Sequence, residues 1–153
     1  MIEQLAGSSL FGNLEHFTIV EISRFCTRLE LVAGDVLISE NDGAGFDLYI
    51  LCDGNVEIVS NHGPASSGEV VLSKRDNDLF GEIGWLLKKK RTATVRCIGD
   101  VEAIRIDGEN FMQFLENHPD VGFHVMRNMS VLITNRLSET NNLLKQILWN
   151  INI

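Results

Sequence analysis

Glu82 and Arg91 are the two residues whose chemistry the rest of the chain has to explain. They lie in the run Phe80-Gly81-Glu82-Ile83-Gly84-Trp85-Leu86-Leu87-Lys88-Lys89-Lys90-Arg91-Thr92-Ala93-Thr94-Val95. Gly81 permits a backbone conformation closed to other residues, and Ile83 to Leu87 suffice for one helical turn whose first amides have no acceptor within the helix. Amides so placed bind anions. Arg91 opens a stretch, Thr92 to Cys97, that reads as a strand, so strand pairing can return its guanidinium over the helix start. A guanidinium matches two phosphate oxygens with parallel hydrogen bonds. Glu82 is itself anionic and unsuited to phosphate, but a carboxylate accepts a hydrogen bond from a hydroxyl such as a ribose 2′-OH. The chemistry expected of the run is recognition of a phosphate beside a sugar. A surface salt bridge for Arg91 and a dipole-favoured place at the helix start for Glu82 are the plainer alternatives.

Gly81-Glu82, Arg91-Thr92-Ala93 and the spacing between them resemble the phosphate-binding cassette of the cyclic nucleotide-binding domain family. That family contains catabolite activator-type regulators, regulatory subunits of protein kinase A and cyclic nucleotide-gated channels. Ala33-Gly34-Asp35-Val36-Leu37-Ile38, Asp47-Leu48-Tyr49-Ile50-Leu51 and Gly54-Asn55-Val56 resemble its first strands and glycine turns, so the likeness covers most of the chain. The resemblance implies a ligand, cyclic AMP or cyclic GMP, held by Gly81, Glu82, Ile83, Gly84, Arg91, Thr92 and Ala93, with no cofactor and no metal. Thr92 resembles the threonine that follows the arginine in cyclic GMP-binding kinases and channels, yet such channels also bind cyclic AMP. Two positions depart from the pattern. Lys90 stands where many members have proline, which removes a fixed turn. Asn41 replaces a turn glycine, and asparagine tolerates left-handed backbone.

The elements that must position these residues are legible from periodicity. Leu10 to Arg28, with Leu14, Phe17, Ile22 and Phe25, has a mostly helical spacing and is expected to form a lead-in within residues 1–29. From Glu30 to Asp107 short runs rich in Val, Ile and Leu are cut by Gly34, Gly43, Gly45, Gly54, Gly63, Gly68, Gly81 and Gly99. An eight-stranded β-roll, a double-stranded jelly-roll-like barrel over 30–107 carrying the cassette at 80–95, is expected. Asn61 to Gly68 reads as an exposed hairpin loop. Asp107 is placed to cap a helix from Gly108 to Asn117, and His118-Pro119 marks the break before a longer helix running nearly to the end. A single domain over 1–153, mainly β with flanking helices, follows.

Along that last helix Ile133, Leu137, Thr140, Leu144, Ile147 and Ile151 recur at alternating steps of four and three, drawing one apolar seam. A twofold partner helix suits it, and so a homodimer is expected; packing on the chain's own β core is the rival, helped by Leu143 and Leu148. In catabolite activator-type members the corresponding helix dimerises and closes over the base. Arg136 stacking on a purine and Thr140 bonding its edge are the base contacts considered. Trp85 and Phe80 read as core.

Composition bounds the partners. A formal net charge of −8 argues against a nucleic-acid or anionic-membrane surface, and Lys88, Lys89 and Lys90 read as a solvated turn. No basic recognition helix or second helix-turn-helix domain is seen, so direct action on DNA is not expected, and the output is open between a protein effector and a further domain. Cys26, Cys52 and Cys97 lack metal spacing and fit buried thiols in a reducing compartment. His16, His62, His118 and His124 lack HxH or HExxH spacing, and no nucleophile motif is present, so no enzyme is expected. No apolar stretch approaches the roughly 20 residues of a bilayer span, and the start lacks a signal segment, which gives a cytoplasmic expectation. Two functions from different classes remain: a sensor of a 3′,5′-cyclic nucleotide that signals through its C-terminal helix, and a ligand-free dimerisation module of the same fold.

Overall fold

The computed structural model describes residues 1–40, 42–43, 45–60, 70–74 and 79–151. Eight strands are assigned among them: β1 (Cys26–Leu31), β2 (Val36–Ile38), β3 (Leu48–Asp53), β4 (Val56–Ser60), β5 (Val70–Lys74), β6 (Leu79–Phe80), β7 (Thr94–Cys97) and β8 (Val101–Ile106). They form two four-stranded antiparallel sheets, ordered β1-β8-β3-β6 and β2-β7-β4-β5. The expected mainly β fold with flanking helices is the one observed. The expected Asn41 turn and the Asn61 to Gly68 loop lie outside the described residues.

Strand alternation explains the layers. In β3 and β8, Leu48, Ile50, Ile104 and Ile106 face one way, while Leu51, Val101 and Ala103 face the other. The second set, with Phe80 of β6 from the same sheet, meets Leu37, Ile38, Val56, Val95 and Cys97 from the opposing sheet and fills the roll. The first set is covered by helices. These are α1 (Ile2–Gly7), a 3₁₀ turn at Ser9–Phe11, α2 (His16–Ser23), α4 (Gly108–Asn117) and the start of α5 (Pro119–Ile151), contributing Leu5, Phe11, Ile22, Phe111, Val125 and Met129. One sheet is therefore buried on both faces, which fixes the helices relative to the roll.

The helical lead-in expected as far as Arg28 stops at Ser23, and Cys26–Leu31 is a strand. The reason is period two: Leu29 and Leu31 pack into the roll, and all six residues of β1 pair with β8, from Cys26↔Ile106 to Leu31↔Val101. The sheet boundary therefore begins at Cys26 rather than residue 30. The C-terminal reading agrees in detail. Asp107 accepts a hydrogen bond from the Asn110 amide at 3.0 Å, and Pro119 occupies the first position of α5, where a missing amide costs nothing. Cys97 is buried and Cys26 half-buried; burial pushes the Cys26 thiol up to about 12, consistent with a packing role.

Candidate functional site

The site is built on α3 (Glu82–Leu87), a short helix between β6 and β7. Gly81 precedes it with φ +90°. A Cβ there would sit 2.6 Å from the Asp47 carbonyl oxygen and 2.9 Å from Arg91 Nη1, so both conformation and space demand glycine. Trp85 anchors the helix: it is fully buried, stacks on Phe111 at 5.5 Å, and donates from Nε1 to the Gly108 carbonyl at 2.8 Å. Phe80 is also buried. Both aromatic residues are core, as expected.

Arg91 is 8 % exposed. Its Nη1 donates to the Gly81 carbonyl at 3.0 Å and its Nη2 to the Asp47 carbonyl at 2.8 Å. Its own amide donates to the Asp42 carbonyl at 3.0 Å. The guanidinium is packed against Gly84 so closely that a Cβ there would lie 2.8 Å from Nη1. Among the described residues no carboxylate pairs with this buried cation. Neutral carbonyls orient it without neutralising it, and buried charges are ordinarily matched by an opposite one.

The guanidinium borders a hollow. A cavity of about 160 Å³ is lined by Gly81, Glu82, Ile83, Gly84, Arg91, Thr92 and Ala93, with Ile38, Ile58, Phe80 and Val95 as its apolar side. All seven cassette residues picked out in the sequence therefore border one hollow. Arg91–Ala93 precede β7 instead of opening it, because the strand begins at Thr94. The amides of the first α3 turn lie before the first intrahelical bond, which Trp85 makes to the Gly81 carbonyl at 3.0 Å. One wall can thus hold an anion, and the Glu82 carboxylate can accept from a hydroxyl beside it.

The two α5 residues considered for a base are placed differently. Arg136 does not line the cavity; its Nη1 lies 3.0 Å from Glu82 Oε1 and its Nη2 donates to the Leu79 carbonyl. Thr140 is exposed and donates to the Arg136 carbonyl of its own helix at 2.9 Å. Lys88, Lys89 and Lys90 are exposed, and Lys88 closes α3 with Nζ 5.0 Å from the Phe46 ring centroid.

Sequence reasoning missed Ile38, Ile58 and Val95. Ile58 and Ile38 both pair with Val95 across the sheet, so the three share a face. Their alternation was visible, but the curl that turns this face toward α3 was not. It also missed the Asp47 carbonyl as the second anchor of Arg91. No cluster of three or more His, Cys, Asp or Glu residues suited to a metal occurs among the described residues.

This cassette inside this roll defines a class. A family model described as the cyclic nucleotide-binding domain matches residues 28–118, and the chain belongs to that family. It is similar to a CRP-like cAMP-activated global transcriptional regulator of Mycobacterium tuberculosis, with 24 % identity over 97 % of this chain and 64 % of the relative. Among solved structures it resembles a cyclic nucleotide-binding domain from Methylobacillus flagellatus, with a TM-score of 0.83 at 17 % identity over 95 % of this chain and 83 % of the other. It also resembles the Thermus thermophilus catabolite activator protein, with a TM-score of 0.74 at 23 % identity over 92 % and 63 %. At those identities the structural likeness establishes the fold alone. The chain spans slightly less than two thirds of the mycobacterial regulator.

Proposed function

We infer that this chain is a cytoplasmic sensor that binds a 3′,5′-cyclic nucleotide, cyclic AMP or cyclic GMP, and passes its occupancy to a partner through α5. The observation that carries the reading is the buried Arg91 guanidinium, oriented by two carbonyls, unpaired with any carboxylate among the described residues, and bordering a hollow. A cyclic phosphate supplies the absent charge through charge-assisted bonds, and Thr92 adds a hydroxyl. Glu82 takes the ribose 2′-OH, and Gly81, Ile83, Gly84 and Ala93 shape the cradle. The cavity is smaller than the roughly 300–1,000 Å³ of sites that enclose a whole drug-sized ligand, so it suits the sugar-phosphate and leaves the base toward Ile58 or α5. Contact of Arg136 or Thr140 with a base belongs to a liganded arrangement in which α5 turns toward the hollow. No bond is made or broken.

The similarity to a cAMP-activated regulator supports the ligand class. The apolar residues of the α5 seam, Ile133, Leu137, Leu144, Ile147 and Ile151, are all exposed in the isolated chain, which supports a homodimer formed through them. A ligand-free dimerisation module is the second reading, favoured by the same seam.

Thermal melting and calorimetry with each cyclic nucleotide test the first reading. A ligand present at a hundred times its dissociation constant stabilises by about 2.7 kcal/mol. Arg91→Ala is expected to lower affinity by about thirtyfold to several thousandfold, or roughly 2–5 kcal/mol. No shift with either nucleotide at millimolar concentration favours the module, and unchanged affinity in the variant removes Arg91 from the site.

A further inference from the structure

A second hollow, of about 510 Å³, shares no lining residue with the cavity at Arg91. It lies between Phe46, Lys88 and one face of α4, where Glu109, Met112, Gln113 and Glu116 follow at steps of three, one and three. Residues so spaced stand on one side of a helix. Phe46 and Met112 are half-buried and give the hollow an apolar floor, while Glu109 and Glu116 are exposed and bracket it. Seven residues of helix set the two glutamates about 10 Å apart along its axis. The floor is fixed in place, because Asp47 Oδ1 accepts from the Gly108 amide at 3.0 Å and a Cβ at Gly108 would collide with the Phe46 carbonyl. Lys88 shows what this floor receives: its Nζ lies 5.0 Å from the Phe46 ring centroid, a cation over an aromatic face. It closes α3 at φ +54°, in a left-handed conformation that glycine adopts at less cost. Among the described residues neither this ammonium nor either glutamate is ion-paired.

We propose that this face of α4, with Phe46 and Lys88, is a docking surface for a basic amphipathic helix of a partner protein. Charge complementarity selects the occupant. Two carboxylates bracket an apolar strip, and a helix with basic residues at i and i+7 and apolar residues at i+3 and i+4 presents the matching stripe. Its cations meet Glu109 and Glu116, and its apolar residues cover Met112 and the Phe46 ring. Lys88 covers that ring in the free chain. It gives way when the partner helix enters, and as a like charge it holds the affinity down. The surface stands apart from the cassette, so docking does not depend on the nucleotide reading.

Fluorescence anisotropy of the full chain with a labelled helical peptide tests the surface. The peptide carries arginine at two positions seven apart and leucine at the third and fourth positions after the first arginine, and a second peptide has the same composition in scrambled order. The patterned peptide is expected to bind saturably, and the scrambled one at least about fivefold more weakly. Glu109→Gln combined with Glu116→Gln is expected to weaken the patterned peptide about five- to tenfold, in the same direction as added salt. Lys88→Ala is expected to tighten it about three- to fivefold, because the ring is released and a like charge is removed. Misfolding would weaken binding in every variant, so the opposite signs separate docking from loss of fold. Equal binding of the two peptides, unchanged affinity in the double variant, or binding in Lys88→Ala that is unchanged or weaker overturns the docking surface. Spermidine binding more tightly than the patterned peptide, and lost in the same double variant, assigns the hollow to a small polyamine and overturns it as well.

Discussion

Arg91 and Gly84 form one unit at the residue scale: the arginine carries the charge, and the glycine leaves the room in which that charge sits. Gly84 lies within α3 and is buried, so alanine there would favour the helix by up to about 1 kcal/mol on propensity. Its Cβ would nevertheless meet Arg91 Nη1 at 2.8 Å and both Cδ and Cζ at 3.4 Å. The far end of a flexible side chain can move aside at little cost in stability, but a displaced guanidinium no longer matches an anion. Gly84→Ala should therefore keep or raise the melting temperature of the free protein while lowering nucleotide affinity at least tenfold, a difference of about 1.4 kcal/mol. Melting and titration of the same sample check this, and a parallel fall in both quantities would assign Gly84 to folding alone. The positions on either side of Gly84 show how specific the requirement is. Ile83 is exposed and Trp85 is fully buried, whereas a Cβ at Gly84 between them would reach the guanidinium.

At the scale of elements, α5 is two structures in one helix. Its first part packs: Val125 is fully buried and Met129 nearly so, and Asn128 donates to the carbonyls of Leu10 and Gly12 at 3.0 and 2.8 Å. From Ile133 onward its residues are exposed apart from Arg136. Met129→Ala should cost about 2–5 kcal/mol through lost contacts and a cavity, whereas Phe123→Ala, at a residue 64 % exposed, should stay within about 0.5 kcal/mol. Urea denaturation of the two variants separates them, and similar costs would mean that the N-terminal part of α5 is not docked as described. The short helix α3 follows the opposite logic. Six residues are too few to be stable alone, and Trp85 secures them through ring stacking on Phe111 and a hydrogen bond to the Gly108 carbonyl. The cassette thus takes its rigidity from the helical layer behind it.

For the molecule as a whole, a negatively charged chain displays an apolar seam along a projecting helix. Leu137, Leu144, Ile147 and Ile151 are 58, 52, 47 and 72 % exposed, a contiguous stripe of the kind that marks an interaction surface. With a second copy the seams can pack as paired helices. Sedimentation equilibrium is expected to give a dimer for the parent chain and a monomer for Leu137→Lys combined with Leu144→Lys. A monomeric parent chain at the concentrations used for binding would remove the homodimer. No helix among the described residues is long and apolar enough to cross a membrane.

Much of this protein was readable without coordinates, because its signals are local. Gly81 next to Glu82, with Arg91 at a fixed distance, marks a turn, an acceptor and a donor. Asp107 with Pro119 marks where α4 starts and α5 begins, and alternation marks the strands. Each depends only on backbone preference and side-chain period. The error at Cys26–Leu31 had the same local origin: Ile22 and Phe25 carry a helical spacing right up to Cys26, where pairing with β8 takes over. What depended on chain closure was decided by tertiary structure alone. Sheet curvature brings Ile38, Ile58 and Val95 to the cassette, and the Asp47 carbonyl comes from a distant strand end to orient Arg91. The rotation of α5 sends Arg136 to Glu82 rather than into the hollow, since helical period fixes which residues share a face but only packing against the roll fixes where that face points.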